Sequence, residues 1–179
     1  MSRAPRTRQP GVFAHITMHG SAGLDVFGTR GDARLFLGRL GDVAARHALE
    51  VHGYCLMRTH YHLLVRDTSG VISPAMKDLN GWYARRFNLR HGRRGPVFDR
   101  RFHRNLIEDD EQLRTCLRYI VRNPVIAELC EDPADWQWSS HRATVGIAPC
   151  PAFLRTDIAL GPSGSAASYL ELVDAAGRS

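Results

Sequence analysis

Two pairs of residues in this sequence have the types and spacing to do chemistry. His60 and His62 flank Tyr61 inside the apolar run from Leu56 to Val65. On a strand, residues i and i+2 share a face, roughly 6.5–7 Å apart along the backbone, so two imidazoles placed this way can converge on one metal ion. Tyr61, Leu63 and Val65 would then point the other way, into packing. The same spacing also suits two half-buried, hydrogen-bonded histidines lining a pocket, and a lone His-x-His does not choose between them. The second pair is Tyr119 and Asn123, four residues apart in Thr115-Cys-Leu-Arg-Tyr-Ile-Val-Arg-Asn123. On a helix with Leu113, Leu117 and Ile120 as its core stripe, they stack on one face at the edge of that stripe. Tyr119 can offer a hydroxyl to a site and Asn123 an amide oxygen to the same metal. A partly buried tyrosine with its hydroxyl in water is the plainer alternative.

Arginine is the other resource. Of 24 basic residues only Lys77 is a lysine. A GC-rich genome would favour arginine codons, so placement has to carry the argument. Arg85, Arg86, Arg90, Arg93, Arg94, Arg100, Arg101 and Arg104 fall in one segment in which Asp99 is the only acid. Trp82, Tyr83, Phe87, Phe98 and Phe102 are interleaved with them. Guanidinium forks neutralise phosphates, and aromatic rings stack on unpaired bases, so this segment reads as a nucleic-acid surface. Trp82 and Phe87 also have the helical spacing of core residues. Arg114, Arg118 and Arg122 form a further i+4 row beside Tyr119, a candidate backbone clamp.

The elements that must position these groups follow from periodicity and punctuation. Val12 to Met18 is a candidate strand, and Gly20 to Gly31 a glycine-rich loop. Asp32 can cap a helix that runs to about Leu49, with Leu35, Phe36, Leu40, Val43 and Ala44 on one face. Val51–Met57 and His60–Arg66 are strands joined by the tight Arg58-Thr59 connection. Ser73-Pro74 opens a helix ending near Arg90. Gly92 to Gly95 is a turn, and Val97 to Asn105 an extended segment. Glu108 to Glu111 puts negative charge where a helix begins, and Pro124 is expected to stop that helix after Asn123. The order predicts an α+β, ferredoxin-like split β-α-β-β-α-β plan, an antiparallel sheet with helices on one face. Residues 1–10 are expected to be a flexible basic arm, 11–142 the domain, and 143–179 a partly ordered C-terminal tail with a short helix near Tyr169–Ala175.

With 179 residues, 44% of them hydrophobic, the chain suits one globular domain. A net charge of +6 and a pI of about 9.6 favour a polyanionic partner. Cys55, Cys116, Cys130 and Cys150 form no Cys-x-x-Cys pair, which argues against a zinc knuckle and for reduced thiols. Arg3, Arg6 and Arg8 are followed by no apolar stretch, so no signal peptide is expected. Nor does any run approach the ~18 apolar residues of a membrane span. A cytoplasmic, nucleoid-associated protein with no membrane partner is therefore expected.

Taken in order, the motifs resemble one family. Tyr54-Cys-Leu-Met-Arg-Thr-His60-Tyr-His62-Leu-Leu-Val is similar to the HUH strand pair of the REP-associated tyrosine transposases, an IS200-like branch of the HUH single-strand transposase superfamily. Tyr83-Ala-Arg-Arg-Phe-Asn88, Gly95-Pro-Val-Phe98 and Arg101-Phe102 resemble the segment that follows. Arg118-Tyr119-Ile-Val-Arg-Asn123-Pro124-Val resembles the catalytic helix, and Asp135-Trp-Gln-Trp-Ser139-Ser140 the closing motif. His15-Ile-Thr-Met-His-Gly20 fits the first strand more loosely. The likeness spans roughly residues 10 to 142. Two departures stand out: Arg58-Thr59 replaces the family's Pro-Asn, and Tyr61 replaces a smaller hydrophobe.

The resemblance implies that His60, His62 and Asn123 are metal ligands for Mg²⁺ or Mn²⁺ and that Tyr119 is the nucleophile, forming a 5′-phosphotyrosine. It implies a substrate of single-stranded DNA next to REP-like palindromic hairpins, contacted by the arginine-rich segment and the N-terminal arm, and a monomer or homodimer. Strand transfer keeps a phosphoester bond and needs no ATP, in keeping with the lack of a P-loop signature. Two other readings are a hairpin-binding protein that no longer cuts, and a metal-dependent phosphoesterase on RNA or a nucleotide in which Tyr119 is only structural.

Overall fold

The computed structural model describes residues 10–99, 101–161 and 164–175. Apart from Pro10, the expected basic arm lies outside the described residues, and so does Arg100. Four strands, β1 (Val12–His19), β2 (Leu49–Leu56), β3 (His60–Asp67) and β4 (His103–Ile107), form one antiparallel sheet in the order β2-β3-β1-β4. Helix α1 (Arg30–His47) joins β1 to β2, and α2 (Ile72–Arg90) joins β3 to β4. This is the split β-α-β-β-α-β plan. Both helices pack on the face carrying Ala14, Ile16, Met18, Tyr61, Leu63 and Val65, around an aromatic group of Phe27, Phe36, Tyr61 and Tyr83. A third helix, α3 (Asp110–Ile126), follows β4 and closes a second core against the opposite face, through Leu113, Leu117, Ile120 and Val121 over Cys55 and Leu64.

Local chemistry explains the boundaries, and in three places moves them. The cap of α1 is Thr29, not Asp32. The Thr29 hydroxyl accepts from the Asp32 amide while the Asp32 carboxylate accepts from the Thr29 amide. This reciprocal box starts the helix at Arg30, and Ala48 in the left-handed region ends it at His47. Helix α2 has no side-chain cap of its own. The buried Asp67 carboxylate, from the end of β3, accepts from the amides of Ser69, Val71 and Ile72, and Pro74 sits in the first turn, where no intrahelical donor is needed. Asp109 caps α3 by accepting from the Gln112 amide. Pro124 does not end α3, which continues to Ile126. The one hydrogen bond it forfeits lies in the last turn, its ring is buried, and Ala127 still donates to the Asn123 carbonyl.

The described residues after α3 are tied back to the body. Trp136–Ser140 runs along the β2 edge: Leu56 donates to the Trp138 carbonyl at 2.9 Å, Ser140 to the Tyr54 carbonyl at 2.9 Å, and the Trp136 indole to the Leu56 carbonyl at 2.9 Å. After the short α4 (His141–Thr144), Leu154 is buried and Arg155 donates to the Val51 carbonyl. The short helix α5 (Asp157–Leu160) leads to α6 (Ala166–Asp174), which sets Tyr169 and Val173 into the second core against α3. His141 Nδ1 lies 3.0 Å from the Tyr169 hydroxyl, and Arg122 donates to the Val173 carbonyl at the end of α6.

Candidate active site

Strand pairing assembles the site. On β1, His15, Thr17 and His19 stand opposite Leu64, His62 and His60 of β3; on the other side, His15 and Thr17 stand opposite Asn105 and His103 of β4. Directly opposed residues share a face. One face therefore carries His15, Thr17, His19, His60, His62, His103 and Asn105, while the alternate residues fill the first core. Helix α3 lies over β2 and β3. Its approach depends on Gly53, where a Cβ would sit 3.0 Å from the Leu117 side chain.

The histidines form a tight group. His60 and His62 have ring centroids 5.0 Å apart at 86°, His15 stacks on His62 at 5.1 Å, and His19 stacks on His60 at 4.8 Å. His15 Nε2 is 2.9 Å from His62 Nδ1, and the Thr17 hydroxyl is 3.2 Å from that same atom and 3.3 Å from His15 Nε2. Thr59 Oγ1 lies 3.1 Å from His60 Nδ1. Burial pulls the His60 imidazole down to about 4, helped by neighbouring His19. Burial, then His15 and the other two rings, pulls His62 down to about 3. His15 is also lowered, by burial. All three rings are thus neutral at pH 7, the form that donates a lone pair to a metal.

Tyr119 stands beside this group, its ring edge-on to His62 at 5.5 Å and to His15 at 5.9 Å. It is 43% exposed, whereas Tyr54, Tyr61, Tyr83 and Tyr169 are all buried. One turn on, Asn123 is buried, with its amide near enough to both ligand-candidate rings to oppose part of their pKa depression. It does not complete a well-aligned hydrogen bond to His62 Nε2, which is buried and unpartnered. That orphaned nitrogen and the adjacent amide oxygen fit a divalent ion. Among the described residues, no group of three or more His, Cys, Asp or Glu is arranged to hold a metal. A metal here would draw its third protein donor from Asn123 and its remainder from water.

The departures from the family pattern are absorbed locally. The Tyr61 hydroxyl, on the packing face, donates to Asn80 at 2.8 Å. The Arg58-Thr59 turn is held through its carbonyls, Arg58 accepting from Phe27 and Thr59 from Gly20.

The arginines do not gather at Tyr119. Arg85, Arg86 and Arg90 are exposed on α2, across the sheet from it. Arg86 lies over Trp82, and Arg90 pairs with the buried Asp32. Arg93 and Arg94 occupy the exposed turn after α2, ahead of a segment that rejoins the sheet where Phe98 bridges to Gly20 and Asp99 donates to the His19 carbonyl. Arg101 is exposed, while Arg104 is half-buried on β4, opposite Ile16. On α3, Arg118 is half-buried and Arg122 is engaged with α6. Sequence reasoning passed over His15, Thr17, His19, His103 and Asn105 as site residues. The signal for the first three was the alternation His15-x-Thr17-x-His19 on the strand paired with His60-x-His62.

Comparisons with known proteins bear on the family and the fold. The sequence profile of the IS200-like transposases matches residues 15–123. A REP-associated tyrosine transposase bound to a REP hairpin has a similar structure, with a TM-score of 0.68 at 18% identity, covering 88% of this chain and 93% of that one. At that identity the likeness speaks to the fold. A structure from Deinococcus radiodurans R1, classed with the transposases, aligns at a TM-score of 0.47 and 18% identity over 64% of this chain and 92% of its own, too loosely to carry an argument. A search of curated proteins finds no match. The profile match runs from the first site histidine, His15, to Asn123, more than half of the chain, and on it the chain belongs to the IS200-like transposase family, within the HUH tyrosine transposases.

Proposed function

We propose that this protein is a metal-dependent endonuclease and strand transferase for single-stranded DNA beside palindromic, REP-like hairpins. The observation that carries this reading is the position of Tyr119. It is the one tyrosine whose side chain is exposed, and it stands against the histidine group with Asn123 one turn away. His60, His62 and Asn123 would hold a Mg²⁺ or Mn²⁺ ion, which supplies Lewis acidity at the scissile phosphate. Tyr119 attacks the phosphorus; its oxygen forms the new P–O bond, the P–O3′ bond breaks, and the freed 3′ oxygen leaves as a hydroxyl. The product is a 5′-phosphotyrosine, which a second 3′-hydroxyl can attack to complete transfer. Helix α3, anchored by both its core stripe and α6, holds Tyr119 in register with β3 while this happens.

Arg85, Arg86, Arg90, Arg93, Arg94, Arg100, Arg101 and Arg104 are assigned to the phosphates of the hairpin, with Arg118 and Arg122 nearer the cut strand. Among the described residues no helix is long and apolar enough to cross a membrane. We place the protein in the cytoplasm at the nucleoid, as a monomer or homodimer. Incubation with labelled hairpin DNA from its genomic flanks and Mn²⁺, followed by denaturing electrophoresis, tests the reading. A metal-dependent covalent band should form and be absent in Tyr119→Phe. Tight binding without any band would favour a hairpin-binding protein that does not cut, and a band that survives Tyr119→Phe would reject Tyr119 as the nucleophile.

A further inference from the structure

Building on the metal reading above, we infer that His15 and Thr17 are positioning residues. Together they fix which nitrogen of His62 carries the ring proton and so leave Nε2 free as a metal ligand. His62 Nδ1 is contacted from β1 by His15 Nε2 at 2.9 Å and by Thr17 Oγ1 at 3.2 Å, whereas His62 Nε2 is buried with no partner. A neutral imidazole has one N–H and one lone pair. With the proton on Nδ1, the N–H is given to the β1 pair and the Thr17 hydroxyl can donate to His15 Nε2, 3.3 Å away. The His62 N–H and the Thr17 hydroxyl then each have an acceptor, and a lone pair is left on Nε2. With the proton on Nε2, the buried N–H would meet only the poorly aligned Asn123 amide oxygen, and the ring could not bind a metal on that side. The choice involves no gain or loss of a proton from the site, only its position.

Ligating histidines are commonly oriented by a hydrogen bond from the other ring nitrogen, usually to a carboxylate or a carbonyl. Here a second imidazole and a threonine take that part. The stacked geometry, with centroids 5.1 Å apart and planes at 26°, also prevents the His62 ring from turning over without displacing His15. His15 reaches further, to the edge of the Tyr119 ring at 5.9 Å. The residue that sets the ligand thus also borders the nucleophile.

Two measurements on the full chain test this. Long-range ¹H–¹⁵N correlation spectra without metal read the ring tautomers, and EPR titration with Mn²⁺ reads affinity without DNA. Wild type should hold His62 protonated at Nδ1. His15→Ala should give mixed tautomers and bind Mn²⁺ about 10–100-fold more weakly. His15→Gln, whose amide oxygen can stand where Nε2 stood, should recover most of the loss, and the isosteric Thr17→Val should lose less than His15→Ala. An Nε2-protonated His62 in wild type overturns the inference. So does a folded His15→Ala with wild-type Mn²⁺ affinity, or, if that variant does not fold, His15→Phe and Thr17→Val that both fold with wild-type spectra while a His62→Asn control loses the metal. Failure of wild type itself to bind Mn²⁺ would sink the metal reading and this inference together; wild-type binding that is indifferent to His15 and Thr17 sinks this inference alone.

Discussion

The two faces of β3 do different work. Tyr61, Leu63 and Val65 are fully buried beneath α1 and α2. His60 and His62, one residue out of phase, share the opposite face with His15, Thr17 and His19, half of it roofed by α3 and bordered by an exposed tyrosine. One six-residue stretch is therefore both the middle of a core and the floor of a site. Over residues 60–63, metal binding and packing in the first core should separate by residue parity, while Leu64 on the site face packs into the second core.

The sharpest test substitutes neighbours. His62→Asn should abolish Mn²⁺ binding and adduct formation in a chain that folds normally. Leu63→Ala should destabilise by about 2–5 kcal/mol, as large-to-small changes in cores do, while the surviving folded fraction still binds Mn²⁺. Chemical denaturation and Mn²⁺ titration on both variants check this; a His62→Asn that cuts DNA, or a Leu63→Ala without cost, would break the parity rule. A smaller effect is expected from pH. His60 and His62 titrate below the ordinary histidine value of 6.5, so the unfolded chain takes up protons that the folded chain does not. Their contribution to stability is complete above pH 6.5 and drains as pH falls toward about 4 and about 3. Calorimetry should show the melting temperature falling through that window more steeply in wild type than in His60→Asn/His62→Asn; parallel curves would contradict it. The smallest effect concerns the far side of the molecule. Arg85→Ala/Arg86→Ala should leave cleavage of short unpaired DNA unchanged but weaken hairpin binding, lowering the slope of log affinity against log salt by roughly 0.7–0.9 for each phosphate contact removed. Fluorescence anisotropy across a salt series reads it, and an unchanged slope would remove α2 from the DNA surface.

Much of this was legible in the sequence because it rests on period and spacing. The strand alternation around His60 and His62, and the i+4 relation of Tyr119 and Asn123, fix which side chains can share a face before any fold is known. What the sequence did not yield are matters of partnership. Asp32 looks like a helix cap until Thr29 three residues earlier is seen to be its reciprocal. Pro124 looks like a stop until its position in the last turn of a packed helix is known. His15 and Thr17 gained meaning only from the register of β1 against β3, which no local pattern encodes. The described residues after Arg142, where local periodicity is weak, are held by contacts with distant residues such as Val51 and Arg122.

The turn that delivers His60 carries one more consequence. Both of its carbonyls are held from across the sheet, by Gly20 and Phe27, and Met57 donates to the His60 carbonyl at 2.8 Å. A Cβ at position 20 would clash with the Leu24 carbonyl oxygen and lie 3.0 Å from the Thr59 oxygen, so the close approach relies on glycine there. The side chains of the turn act at its flanks: Arg58 pairs with Asp25, and the Thr59 hydroxyl lies 3.1 Å from His60 Nδ1. The path of the turn is thus set by backbone at residues 20 and 27, so a side chain added at Gly20 should shift the delivery of His60 more than a change of side chain at Arg58.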